Sequence, residues 1–185
     1  MKIVFLLEEA SMKYYLDELL PVILPPDVKF LTVPHRGKGD LRKSLSIKLR
    51  AWKEAEEVRF VVVHDQDDSD CRELKKELQK LCGAYRSNVL VRIPCRELEA
   101  WYWGDLEAVS AAFGKDLTSY GKKKAYRVPD EIIHPKKKLQ KILPDLQQCL
   151  GAQAIGKQAA KRNLEDNSSV SFQTFVKGVR KLCET

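Results

Sequence analysis

The chain has 185 residues, 44% apolar and 32% charged, enough to bury one core with an appendage but not two full domains. No apolar run approaches the roughly eighteen residues of a membrane span, so a helical membrane protein is excluded and no membrane partner is expected. The formal charge of +7 is unevenly spread: residues 1–114 carry 18 Lys/Arg against 19 Asp/Glu, whereas residues 115–185 carry 15 against 7, a segregated basic region of the kind that suits a polyanion.

Met1 to Leu7 contains one lysine and a short apolar run that meets Glu8 and Glu9 without a small-residue cleavage site, so a cytoplasmic location is expected. Five cysteines, Cys71, Cys82, Cys95, Cys149 and Cys183, form no C-x-x-C pair, which argues against both a disulfide framework and a zinc ribbon. Cys71 and Cys82 read as small hydrophobes on the apolar face of a helix or at its end.

In chain order, Ile3 to Leu7 reads as a buried strand. Ser11 follows as the N-cap of a helix bearing Met12, Tyr15, Leu16, Leu19 and Leu20, and Pro25-Pro26 closes the unit. Val28 to Val33 is a second strand, and residues 34–39 a loop. Asp40 then caps a helix with Leu41, Leu45, Leu49 and Trp52 on one face. Arg59 to His64 is a third strand whose Phe60-Val61-Val62-Val63 run suits burial on both faces. Asp70 caps a helix with Leu74, Leu78 and Leu81 inward, and Val89 to Ile93 makes a fourth strand. Strands alternating with helices predict an α/β fold with a mainly parallel four-stranded sheet flanked by helices. Beyond Pro94, helices are predicted over 97–103 and 106–113 with Asp105 as a cap, then irregular structure over the lysine-rich 115–141. A final helix presents Phe172, Phe175, Val176, Val179 and Leu182 to the core. Residues 1–113 are thus expected to form the α/β domain, and 114–185 a basic, mostly helical extension on the same core.

Ligands of an open parallel sheet bind beyond the carboxyl ends of its strands. Those positions are acidic here: Glu8-Glu9 after the first strand, Asp65-Gln66-Asp67-Asp68 after the third, and Arg96-Glu97-Leu98-Glu99 past the fourth. Carboxylates gathered at one edge repel unless a cation or shared protons relieve them, and oxygen-only clusters suit Mg²⁺ or Mn²⁺. Asp65 and Asp67 alternate directly after buried strand residues and can aim at a common point, with Glu8 completing a metal set. Asp68, Ser69 and Asp70 read as turn and cap residues. Glu97 and Glu99 sit about 200° apart on a helix; Glu99 joins Glu8, Asp65 and Asp67 as a candidate catalytic residue, with pairing to an arginine as its alternative. Trp101, Tyr102 and Trp103 read as packing, and His64 as a structural strand-end histidine. Loop residues Arg36 and Lys38 could meet a phosphate at a helix start, against the simpler reading of a tight turn. The loop lacks the ending of a P-loop and the third glycine of a dinucleotide fingerprint.

A glutamate after the first strand and D-x-D after the third resemble the Toprim fold of primases, topoisomerases and OLD-type nucleases. Four segments, Leu6-Leu7-Glu8-Glu9-Ala10-Ser11, Gly37-Lys38-Gly39-Asp40-Leu41, Asp65-Gln66-Asp67 and Glu97-Leu98-Glu99-Ala100-Trp101, more closely resemble the bacterial family called domain of unknown function 4276. That likeness runs through Ser171-Phe172. It implies a Toprim-like (Rossmannoid) fold and a partner ATPase of the AAA/ABC type encoded nearby, as in a phage-defence or DNA-processing system. Many Toprim proteins follow the glutamate with glycine, whereas Glu9 stands here, which leaves Glu8 and Glu9 as alternative ligands.

Two functions are expected to compete. One is a Mg²⁺- or Mn²⁺-dependent phosphodiesterase acting on nucleic acid, DNA ahead of RNA, with Lys122, Lys123, Lys124, Lys136, Lys137 and Lys138 tracking the backbone. The other is a non-catalytic regulatory or nucleic-acid-binding subunit of the ATPase, and a homo-oligomer is compatible with either. A phospho-receiver domain is disfavoured, since no Ser or Thr ends the fourth strand.

Overall fold

A computed structural model describes residues 1–53 and 57–184. Four strands, β1 (Lys2–Leu7), β2 (Lys29–Pro34), β3 (Val58–Val63) and β4 (Val89–Arg92), form one parallel sheet in the order β2-β1-β3-β4. Alternation along the two central strands sorts their side chains into two cores. Ile3, Phe5, Leu7, Val61 and Val63 enter one, Val4, Leu6, Phe60 and Val62 the other. Burial on both faces explains why β1 and the end of β3 are continuous apolar runs rather than alternating ones.

The smaller core is closed by α2 (Lys38–Ala51) through Leu41, Leu45 and Leu49, and by α3 (Cys71–Cys82) through Leu74, Leu78 and Cys82. Asp70 caps α3 as expected, accepting from the N–H groups of Arg72 and Glu73. Leu81 departs from expectation and stays exposed, because the inward stripe continues to Cys82. Asp40 does not cap α2 either. Gly37, at φ 93°, precedes the helix, a left-handed value that costs glycine little. Asp40 lies in the first turn and accepts from the N–H of Arg36. Trp52 lies just past the end of α2, edge-on to Phe60.

The larger core is covered by α1 (Ala10–Ile23), α4 (Glu99–Trp103), α5 (Leu106–Phe113), α8 (Gln148–Ala159) and α9 (Val170–Glu184). Helix α1 begins one residue before Ser11, whose buried hydroxyl donates to Glu9 rather than accepting a first-turn N–H as a cap would. Asp105 caps α5 through the N–H of Ala108. The first helix past Pro94 is shorter than expected, starting at Glu99. The lysine-rich segment holds two helices, α6 (Thr118–Gly121) and α7 (Pro135–Ile142). Pro135 is the reason: at the first helical position proline loses no needed hydrogen bond, so it starts α7 rather than interrupting structure.

Helix α8 carried no clear signal, yet it packs closely on α1, where Gly156 approaches the backbone of Tyr15. Its buried face is built of Gly151, Ala152, Ile155, Gly156 and Ala159, small residues that admit a close helix approach and blur the apolar stripe. Residues 132, 139, 155, 172, 175 and 179 join the same core as Phe5 and Trp101, so the basic C-terminal part completes the sandwich over one face of the sheet.

Candidate functional site

The strand order creates one crevice. From β1 the chain moves to β2 on one side and later to β3 on the other, so β1 and β3 flank the switch point where open α/β sheets bind ligands. Glu8 and Asp65 follow these two strands, 9% and 8% exposed. Hydrogen bonding carries on past the strand ends: Glu8 N–H donates to Val63 O, His64 N–H to Arg92 O, Gln66 N–H to Pro94 O, and Asp67 N–H to Arg96 O at 2.7 Å. The acids therefore stand on rigid extensions of the sheet.

Glu8 Oε2 accepts from the N–H of Asp65 at 2.8 Å and lies 3.1 Å from His64 Nδ1. That same nitrogen is 2.6 Å from the carbonyl oxygen of Asp65. Since both neighbours accept, Nδ1 carries the ring hydrogen. Burial holds His64 below its usual value, and its Nδ1–H goes to the Asp65 carbonyl, leaving Glu8 Oε2 as a close neighbour of the ring. Burial lifts the Glu8 carboxyl to about 7, with Asp67 and Glu9 adding to the rise against the Asp65 N–H. Asp65 is pushed well above the carboxylate range by burial first, then by Glu8 and Glu99. Its Oδ1 is buried with no hydrogen-bond partner, a costly state for a carboxylate oxygen.

Asp67 points elsewhere, its Oδ2 2.9 Å from Lys38 Nζ. Glu99 is 4% exposed, raised to about 7 by burial against the opposing charge of Lys136, whose Nζ is 3.9 Å away. The cation beside Glu99 is thus a lysine, not the arginine its alternative reading required. Glu9 and Glu97 are engaged otherwise. Glu9 takes Ser11 and Gln148, and Glu97 Oε2 accepts the N–H of Lys136 at the start of α7.

Among the described residues, no three His, Cys, Asp or Glu side chains are placed as a ready metal-ligand set. Glu8, Asp65 and Asp67 share the edge, but Asp67 has turned to Lys38. The donor chemistry still fits a hard divalent ion: the groups are oxygen-only, and the orphaned Asp65 Oδ1 needs a positive partner.

A family model described as "Domain of unknown function (DUF4276)" matches residues 7–180. The chain belongs to this family. Among solved structures, the C-terminal region of the Burkholderia pseudomallei OLD protein is similar with a TM-score of 0.51 and 14% identity over 98% of each chain. The corresponding region of the Xanthomonas campestris pv. campestris OLD protein gives 0.51 and 12% identity over 98% of this chain and 95% of that one. At these identities the likeness is one of fold: a Toprim-like parallel sheet with flanking helices. No curated protein matches the chain.

The basic candidates of this DUF4276 chain divide in two. Arg36 and Lys38 flank Gly37, whose N–H donates to Glu8 O, so they lie at the acidic edge. Lys122, Lys123 and Lys124 are exposed. Lys123 Nζ lies 4.0 Å from the centre of the Tyr120 ring, and Lys138 Nζ 5.6 Å from that of Tyr126. Tyr126 stacks on Trp103 at 4.5 Å, and Trp101, Tyr102 and Trp103 are core residues. Lys136 turns inward to Glu99 and Lys137 outward to solvent. No described helix is long and apolar enough to cross a membrane.

His64, read as a structural strand-end histidine, is buried with its Nδ1 on the Asp65 carbonyl, and its ring also lies against Glu8. Arg96 joins the D-x-D loop by donating its N–H to Gln66 Oε1, a contact that no spacing announces.

Proposed function

We propose that the chain is a Mg²⁺- or Mn²⁺-dependent phosphodiesterase acting on nucleic acid, DNA ahead of RNA, and working with an AAA/ABC-type ATPase. The observation that carries this reading is the buried, unpartnered Asp65 Oδ1 beside Glu8 at the switch point of the sheet. Glu8, Asp65 and Asp67 would hold the ion, which supplies polarisation of the phosphate and an acidified water when bound.

The chain's own residues perform the rest. His64 donates Nδ1–H to the Asp65 carbonyl and so holds its ring against Glu8 Oε2. Lys38 releases Asp67 and meets phosphate instead, an exchange between partners of the same charge sign at an exposed position. Glu99, raised to about 7, can hold or give up a proton near neutrality. Lys122, Lys123, Lys124, Lys137 and Lys138 track the polyanion without reading its sequence.

The competing reading is a regulatory subunit, favoured by the absence of a ready ligand set among the described residues. Calorimetric Mn²⁺ titration of wild type and Asp65→Asn, with nuclease assays in the presence and absence of the ATPase, separates them. Metal binding and cleavage that both fall in the variant support the enzyme. Metal binding without cleavage under either condition supports the subunit, and no metal binding removes both the ion and the chemistry assigned to it.

A further inference from the structure

Among the described residues, three that are not glycine have a positive φ: Asp67 at 52°, Arg96 at 61° and His134 at 52°. This left-handed conformation is unfavourable for residues with a side chain and persists only where the surroundings impose it, commonly at functional sites. All three line the same small cavity of about 50 Å³, with Asp68, Glu97 and Ile133. They come from three separate segments: the D-x-D loop, the turn after β4, and the residue before α7.

The cavity walls are locked from behind. Asp67 N–H donates to Arg96 O at 2.7 Å, Arg96 N–H to Gln66 Oε1 at 3.1 Å, and Lys136 N–H to Glu97 Oε2 at 3.0 Å. All three acids of the lining have cationic or N–H partners: Asp67 in Lys38, Glu97 in the start of α7, and Asp68 in Arg96. The guanidinium of Arg96 makes only a loose contact with the exposed Asp68, Nη1 to Oδ1 at 3.7 Å. His134 is exposed. Ligand pockets for drug-sized molecules run to hundreds of cubic ångströms, so about 50 Å³ admits only a group of a few atoms. Arginine and imidazole N–H donors select an anionic one.

We infer that the pocket where Asp67, Arg96 and His134 meet is a phosphate subsite, in which the Arg96 guanidinium and the His134 imidazole hold the non-bridging oxygens of a nucleic-acid phosphate next to the one treated at Glu8 and Asp65. This rests on the phosphodiesterase reading for the polymer, but the anion site can be tested without metal. Such a subsite sets the register of the strand rather than performing chemistry.

The chain has three histidines, of which His35 and His64 are buried, so the imidazole proton signal of His134 can be followed by NMR while inorganic phosphate is added at constant ionic strength in chelator. The His134 signal should move saturably while the two buried rings stay put. Arg96→Gln should weaken that response at least tenfold yet bind Mn²⁺ like wild type. His134→Gly, at a φ that glycine adopts freely, should keep the melting temperature and bind a short oligothymidylate in Ca²⁺ at least fivefold more weakly. A non-saturable His134 response, or unchanged affinities in both variants, overturns the subsite. If wild type fails to bind Mn²⁺ while the phosphate response persists, the metal reading falls and the subsite stands.

Discussion

Glu8 Oε2 accepts the backbone N–H of Asp65 at 2.8 Å, so the acids ending two neighbouring strands are tied through the main chain while their charges oppose each other. The fold thus holds together two groups that would separate if free. Asp65→Asn replaces, at nearly constant shape, an acid whose ionised form burial disfavours, and in chelator it should raise the melting temperature, since the wild-type side chain is buried with an unpartnered oxygen. Each kcal/mol recovered corresponds to about 2–4 °C in a domain of this size. Mn²⁺ affinity should fall at least tenfold by calorimetry. A lower melting temperature with unchanged Mn²⁺ binding would mark Asp65 as a structural residue.

The same strain sets a pH dependence. Glu8 and Glu99 are both raised to about 7 from ordinary carboxylate values near 4.5. Between those limits the folded state binds protons that the unfolded state has lost, so stability is fullest below about 4.5 and declines as pH rises through 7. Melting curves in chelator should therefore show the metal-free protein more stable at about pH 5.5 than at about pH 8, by an amount on the order of a few kcal/mol at most. Glu8→Gln should flatten part of that slope, and an unaltered slope would place the effect elsewhere.

Lys38 tests whether Asp67 is held in reserve. The Lys38–Asp67 pair is well exposed, so Lys38→Ala should change stability by no more than about 1 kcal/mol. Cleavage should nevertheless fall at least tenfold, because the residue that meets phosphate is gone. Equal losses in folding and activity would argue for a merely structural pair.

The exposed run Lys122, Lys123 and Lys124 should contribute counter-ion release. Replacing all three with alanine should reduce the dependence of log affinity on log salt by about 2, read by fluorescence anisotropy over a salt series. Lys123 also covers the Tyr120 ring, which limits the stability loss to about 1 kcal/mol. An unchanged salt dependence would reduce the run to a solvated face.

Gly156 probes the helix that the sequence did not reveal. A Cβ there would stand 2.8 Å from the backbone oxygen of Tyr15, and backbone cannot step aside as a flexible side chain can. Gly156→Ala should cost about 1–3 kcal/mol by overpacking, despite alanine being the better helix former. A denaturant titration with an unchanged midpoint would show that α8 can shift off α1.

Strands were legible because burial on both faces leaves uninterrupted runs such as Phe60 to Val63, and α3 because Asp70 is a true cap. The acids were legible from one rule, that residues just past parallel strands face the ligand edge. Their side-chain partners were not. Asp67 with Lys38, Glu9 with Gln148 and Glu99 with Lys136 join residues far apart in the chain, and nothing local encodes such pairs. Helix α8 hid because its contact face uses glycine and alanine, which carry little hydropathy, and α7 because Pro135 marks a helix start as readily as a break. Leu81 shows the converse error, an apolar residue at helical spacing that sits one position off the inward stripe.

The close seat of α8 against α1 has a consequence for inheritance. Phe5, Tyr15 and Trp101 share their core with Ile132, Leu139, Ile155, Phe172 and Phe175, and Gln148, opening α8, grips Glu9 beside Glu8. A gene cut after residue 113 would not encode a smaller version of this protein; it would encode one with a bare apolar wall behind its acids. The sheet with its carboxylates and the lysine-bearing helices must be passed on, duplicated or fused to other domains as one indivisible piece.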